Sequence, residues 1–191
     1  MLNCLDITEQ GLHFPYYRFG NIRTYLRDNK VSQHMRHKWI KNAIVAVAFI
    51  YSHGAVHGDI SPRNFLVADD LSIKLCDFAG SVIGDMEALV EEEDRYRLAL
   101  WSPRSFNTDL FALGCLIYEL SSGTRPYDEI EDVKEVARLY AKQIFPNIDG
   151  FRYQDLIYKS WISAYTTVGM LREDYDRVQD ADTVRDRLSS C

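Results

Sequence analysis

Val56-His57-Gly58-Asp59-Ile60-Ser61-Pro62-Arg63-Asn64, followed by Phe65-Leu66-Val67 and then by Asp77-Phe78-Ala79-Gly80, is the stretch whose reading decides the fold. Asp59 and Asn64 stand five residues apart after a helical run, and Asp77 follows Asn64 by thirteen. Two short apolar runs, 65–67 and 73–75, flank the Asp69-Asp70 pair, and this spacing predicts a β-hairpin. A loop, a hairpin and a second loop then bring two carboxylates and one amide oxygen to one end of a small ribbon. Hard oxygen donors of that kind suit Mg²⁺, and Mg²⁺ suits a nucleoside triphosphate, so the stretch reads as a phosphotransfer site. Asp, Asn and Gly are also the commonest turn formers, and one Asp in a loop would carry no weight. The weight lies in the order: His-x-Asp, Asn at plus five, an apolar triplet, then Asp-Phe-x-Gly after the hairpin.

That order resembles protein kinases. Residues 57–64 are similar to the kinase catalytic loop, with Gly58 where most members carry Arg, and 77–80 resemble the Asp-Phe-Gly metal loop, with Ala79 in a glycine position. A second, independent match is Thr108-Asp109-Leu110-Phe111-Ala112-Leu113-Gly114-Cys115-Leu116-Ile117-Tyr118-Glu119-Leu120, continuing through Ser121-Ser122-Gly123-Thr124-Arg125-Pro126-Tyr127. It looks like helix F of that family and the turn after it. The resemblance implies an α+β, predominantly α-helical fold: a kinase-like C-lobe with a small β-hairpin at the catalytic site. One domain would span 1–191, with 11–20 hinge-like, 56–64 the catalytic loop and 77–105 the activation segment.

The resemblance also implies roles. Asp59 would orient the acceptor hydroxyl and take its proton late, since a carboxylate of ordinary acidity is a weak base at pH 7. Asn64 and Asp77 would hold Mg²⁺, Arg63 would offset charge on the γ-phosphate, and Leu66 would lie beneath the adenine ring. Asp109 would fix the catalytic-loop backbone. The implied cofactors are ATP and Mg²⁺, the implied partner is a protein substrate, and the implied reaction transfers the γ-phosphate to a protein hydroxyl, Ser or Thr favoured.

Composition narrows the field. With 191 residues, 47% of them hydrophobic, the chain can bury a substantial core as one folding unit. A net charge of −6 argues against a nucleic-acid partner, which would need clustered Lys and Arg. Cys4, Cys76, Cys115 and Cys191 are scattered, without zinc-type pairs or a disulfide framework, as suits a reducing compartment. The longest apolar run, 43–51, is too short to span a bilayer, and the N-terminus lacks the pattern of a signal peptide, so a soluble, cytoplasmic protein without a membrane partner is expected.

Along the chain, residues 1–10 carry little pattern, and 11–17 suit an edge strand or extended connector. Residues 21–27 read as a short helix. Ser32 can cap a longer one running to about His53, in which Trp39, Ala43, Val47 and Ile50 form an apolar face before Gly54 ends it. The run from 81 to 105 is irregular, and its acidic stretch Glu91-Glu92-Glu93-Asp94 reads as a solvated loop. From Asn107 a helix apolar on nearly every face must be buried, and it stops at Gly123. Three amphipathic helices follow over 131–144, 153–161 and 168–188.

Kinases also carry a Gly-rich loop, a strand lysine and a helix glutamate ahead of the hinge, and no counterpart stands before Gly11. Impaired activity and weak nucleotide binding are therefore expected of these 191 residues, together with a partner over the exposed face of the cleft. Two alternatives stay open: a pseudokinase fragment acting as a binding module, and a small-molecule phosphotransferase of the aminoglycoside or choline kinase type. Gly58 has a regulatory implication of its own. It offers no side chain to a phosphate, so loop phosphorylation is not expected to be required, and Arg95 and Arg97 are the nearest other cations.

Overall fold

The structure is a computed structural model that describes residues 2, 4–84, 92–98 and 103–189, the last eight of these for their backbone alone. Its centre is α3 (Phe106–Ser122), in which twelve of 17 residues are buried, so beyond its first turn the helix has almost no solvent face, and the helices Gln33–Ser52 and Gln154–Trp161 and the turn Asp94–Tyr96 pack against it. Local chemistry fixes both of its ends. Ser105 and Thr108 form a reciprocal capping box at the start, and Gly123 closes the end in the left-handed region at φ +88°.

Two helices precede the hairpin. In α1 (Ile22–Asp28) the Asn21 side chain accepts from Thr24 N at 2.9 Å, and in α2 (Gln33–Ser52) the Ser32 hydroxyl accepts from Met35 N at 3.2 Å. Trp39, Ala43, Val47 and Ile50 are buried on one face of α2 as their spacing requires. Burial of such side chains stabilises by roughly 1.5 to 3 kcal/mol each. The Trp39 indole N–H, buried with its ring, donates to Leu71 O at 2.8 Å, which ties α2 to the tip of the hairpin.

β4 (Phe65–Val67) and β5 (Ile73–Leu75) form the expected hairpin, pairing antiparallel with Leu66 opposite Lys74. Phe65, Val67, Ile73 and Leu75 point to the core while Leu66 is half-buried. At the turn, Asp70 Oδ1 accepts from the backbone and hydroxyl of Ser72 at 2.9 and 2.6 Å. Beyond α3, α4 (Val133–Ala141), α5 (Gln154–Trp161) and α6 (Val168–Ser189) complete the helical layer. Asp132 caps α4 through Lys134 N, which shortens it relative to the 131–144 reading. Among the described residues, no helix is long and apolar enough to cross a membrane.

Two pairings were not foreseen. β1 (Asp6–Thr8), in the stretch that carries little pattern, pairs with β2 (Gly11–His13), in the stretch that suits an edge strand. Both strands are exposed along their length, so no in–out alternation betrays them. β3 (Ala55–Val56) pairs with β6 (Val82–Ile83), so the segment after Gly80 begins as a strand and not as irregular chain.

The α3–α5 contact is close enough to need Gly114. A Cβ there would stand 2.6 Å from Ser160 Cβ and 3.4 Å from Ile157 O. Ala would gain about 1 kcal/mol of helix propensity, but overpacking of this kind costs typically 1 to 3 kcal/mol, and Ser160 Cβ is fixed directly to its backbone. Gly114→Ala is expected to lower stability by about 1 to 2 kcal/mol in urea unfolding. An unchanged or raised midpoint would show that the two helices part freely.

Candidate active site

The hairpin gathers the site. Its ladder extends one step beyond the strands, Cys76 N donating to Asn64 O at 2.9 Å, so Asn64 and Asp77 emerge at the same end of the ribbon. Asn64 Nδ2 donates to Asp59 O at 2.8 Å and to Asp59 Oδ2 at 2.7 Å. Both partners accept only, which fixes the amide orientation and leaves Oδ1 as its remaining polar atom. Asp77 sits in the left-handed region at φ 58°, is exposed, and accepts from Ala79 N at 3.3 Å through one oxygen.

The loop carrying Asp59 is held from below by α3. Asp109 is 1% exposed and accepts from His57 N through Oδ2 at 2.7 Å and from Gly58 N through Oδ1 at 2.8 Å. Burial pushes its carboxyl up to about 7, against the pull of those two N–H groups. His57, also buried, receives Asp59 N on Nδ1 at 3.3 Å and donates from Nε2 to Cys76 O at 3.0 Å, so the ring is neutral. Burial holds its pKa below the usual histidine value. Burial likewise pushes the Cys76 thiol up to about 11, as befits an inert neighbour of Asp77.

The acidic run departs from its reading as a solvated loop; Glu91 lies outside the described residues. Glu92 and Glu93 keep only 12% and 13% of their side-chain surface exposed, and each is clasped by arginines. Glu93 binds Arg23 at 2.7 Å through one oxygen and Arg63 at 3.0 Å through the other, while its backbone N–H donates to Asp59 Oδ1 at 3.1 Å. Arg23 also makes a two-pronged pair with Glu119 of α3, 3.1 Å on each arm, and Tyr96 OH closes the cluster on Glu119. Burial works against the Arg23 guanidinium, but Glu119 and Glu93 carry its pKa above the ordinary value. The Glu92 backbone oxygen accepts from Arg97 Nη2 at 2.9 Å, and its carboxylate faces Arg97 Nε at 3.5 Å and Arg104 Nε at 4.0 Å.

Arg104 was missed by sequence reasoning. Gly58 adopts φ +71°, and a Cβ there would meet Gly80 O at 2.3 Å and Arg104 Cδ at 2.7 Å. The cation beside Gly58 is therefore Arg104, which donates to Gly80 O at 2.9 Å, and neither Arg95 nor Arg97 takes that place. Arg95 instead donates to the Tyr127 and Ile130 carbonyls. Asp59, Asn64 and Asp77 are thus gathered at one end of the hairpin, Arg63 pairs with Glu93, and Leu66 lies on the same ribbon, bridged to Asn21.

A family model described as the protein kinase domain matches residues 4–167. The chain belongs to the protein kinase superfamily. Among curated relatives, 3-phosphoinositide-dependent protein kinase 1 of Arabidopsis thaliana is 31% identical over 150 residues, covering 69% of this chain and 30% of that protein. The dual specificity protein kinase TTK of Mus musculus is 27% identical over 159 residues, 71% of this chain and 18% of the relative. A Dictyostelium discoideum protein named as a probable inactive serine/threonine-protein kinase is 24% identical over 194 residues, 94% of this chain and 16% of its own length. The chain thus spans under a third of these relatives, and at the level of the family it is phosphotransferase-like.

Two outcomes follow from this geometry. Asp109 releases its proton near pH 4 when unfolded and at about 7 when folded, so between those values the folded state holds the extra proton. Its contribution to stability is complete below about pH 4 and is lost as pH rises through 7. His57 acts the other way: its lowered pKa makes acid below about pH 6.5 favour unfolding. Asp109→Asn removes the first slope and keeps the second. Between about pH 5 and about pH 7.5 the wild type should lose roughly 2 to 3 kcal/mol relative to that variant in urea unfolding, and parallel profiles would refute the assignment.

The second concerns Gly58. Gly58→Ala must strain the backbone by about 1 to 2 kcal/mol and also displace the Gly80 carbonyl. Arg104→Ala in the same chain should not rescue it, because the closest obstacle is backbone. Full recovery of the melting temperature in the double variant would show that the arginine is the obstacle.

Proposed function

We propose that this chain is the large, C-terminal-lobe portion of a protein kinase that transfers the γ-phosphate of ATP to protein hydroxyls, with Ser or Thr as the acceptor. The observation that carries the reading is the link from Asp109 to the 57–58 backbone and from Asp59 to Asn64, with Asp77 delivered to the same end of the hairpin. In this reading residues 56–64 are the catalytic loop, 77–105 the activation segment and 11–20 the connector at the cleft's edge.

The residues fit a Mg²⁺-nucleotide. Asn64 has its nitrogen committed to Asp59 and its oxygen left for a cation, and Asp77 presents an exposed carboxylate with one oxygen outside any described hydrogen bond. Among the described residues no three His, Cys, Asp or Glu side chains cluster as a metal site, so the shell would be completed by phosphate oxygens and water around Asn64 and Asp77. Asn64 and Asp77 would hold the Mg²⁺, whose charge would offset that of the phosphates. Asp59 orients the acceptor hydroxyl and receives its proton as the bond to phosphorus forms. Arg63 offers a guanidinium to the transferred group once released from Glu93, and Leu66 supports the base from the hairpin.

A second reading, a binding module without turnover, draws support from one observation. Both Asp59 oxygens already accept from the chain itself, from Asn64 Nδ2 and Glu93 N, so a hydroxyl must displace or share one of them. Phosphate transfer from labelled ATP to a basic protein separates the two readings.

Calorimetry with Mg²⁺-ATP tests the metal assignment. Removing one charged ligand costs on the order of 1.5 to 3 kcal/mol, so Asp77→Ala should weaken affinity about tenfold to a hundredfold. Affinity indifferent to that substitution would remove Asp77 from the metal site.

A further inference from the structure

Asp59 is gripped by two donors that come from different parts of the chain. Asn64 Nδ2 reaches Oδ2 from within the same loop at 2.7 Å, and the Glu93 backbone N–H reaches Oδ1 from 34 residues away at 3.1 Å. An ionised carboxylate has about four acceptor sites, so both contacts can persist while each oxygen keeps a site for a further donor. Together they fix the plane of the carboxylate; with the first alone it can turn about its own side-chain bonds. The hairpin holds Asn64 through Cys76 N, but Glu93 lies outside it and needs support of its own.

That support comes from α1. Arg23 Nη1 donates to Glu93 Oε1 at 2.7 Å, while Nε and Nη2 grip the two oxygens of Glu119 at 3.1 Å each and Nη2 also donates to Tyr96 OH at 3.1 Å. Every nitrogen of the guanidinium therefore donates, and the group stands 5.5 Å from the centre of the Tyr96 ring. Glu119 and Tyr96 are buried, so Arg23 is anchored on α3 and extends one arm to Glu93. Arg63 holds Glu93 less firmly: its side chain is half exposed, and its ion pair with Oε2 at 3.0 Å lacks hydrogen-bond geometry. The Glu93 backbone is steadied on its other side by Tyr96 N, which donates to Glu93 O at 2.8 Å. Anchor, arm and backbone thus run without a break from α3 to Asp59. The same short helix begins at Asn21, which bridges to Leu66 of the ribbon, so α1 touches the hairpin as well as the acidic segment.

We propose that Arg23 is a positioning residue for Asp59: through Glu93 it sets the orientation of the carboxylate that receives the acceptor's proton. What Asp59 does in this account rests on the phosphotransfer reading, whereas how it is held does not.

Amide hydrogen exchange and phosphate transfer, both on the full chain, test the two parts separately. In the wild type the Glu93 N–H should exchange slowly, and Arg23→Gln should speed it about tenfold or more while the amides of residues 110–120 keep their rates. Arg23→Gln also takes a partner from buried Glu119, so Glu93→Gln serves as a second variant: it leaves the Arg23–Glu119 pair whole and should speed the same amide by a similar factor. Arg23→Lys keeps the charge, loses the fork and should fall between wild type and Arg23→Gln. In Asp59→Ala the Glu93 amide should already be fast, and adding Arg23→Gln should change it less than about twofold, because both substitutions break one contact. With labelled Mg²⁺-ATP and a basic protein, Arg23→Gln should lower kcat about tenfold and leave the KM for ATP within about twofold, as when an interaction made only in the transition state is lost. Unchanged Glu93 exchange in both Arg23→Gln and Glu93→Gln, effects that add to those of Asp59→Ala, or a raised KM for ATP at unchanged kcat would overturn the positioning role. Absence of transfer by the wild type refutes the phosphotransfer reading, and the exchange pattern then decides alone how Asp59 is held.

Discussion

One buried carboxylate organises this molecule. Asp109 lies near the start of a helix with almost no solvent face and satisfies two backbone N–H groups of the loop that bears Asp59. A buried acid with two directed hydrogen bonds is costly to displace, because either the carboxylate or the loop amides would be left without partners. The helix supplies rigidity, and the carboxylate conveys it to a loop that has little regular structure of its own. At the other end of the helix Glu119 does the same for Arg23 and, through it, for the segment around Glu93. The loop that bears Asp59 and the segment around Glu93 are both fastened to one rod.

The parts of this arrangement readable in the sequence are those whose chemistry is local. The hairpin shows as two apolar triplets around an Asp-Asp turn, the cap of α2 shows as a Ser at the right offset, and α3 shows as a run too apolar to lie on a surface. Asp59, Asn64 and Asp77 could be proposed together because a short hairpin joins them, and Asp109 because it stands at the head of a recognisable helix.

What stayed hidden depends on contacts between distant segments. Nothing about Arg23 in a short amphipathic helix says that its partners lie 70 and 96 residues away. Charge runs are usually hydrated, and Glu92 and Glu93 escape that rule only because three separate elements bring arginines to them. The β1–β2 hairpin hides for the opposite reason: exposed on both faces, it has no buried side to write a period into the sequence. In each case local pattern is overruled by tertiary pairing.

The pairing of Gly58 with Arg104 bears on how such a chain can change over time. A residue lacking a side chain leaves a hole, and here a side chain from 46 positions further along, together with a carbonyl, occupies it. Once filled, the hole no longer accepts any larger residue at that place, since its first carbon would overlap the Gly80 oxygen. Any side chain at position 58 then requires the Gly80 carbonyl to shift before it can be tolerated, so a substitution here depends on a second change elsewhere. The contact works as a barrier in sequence space, set by a carbon-to-oxygen separation of only 2.3 Å.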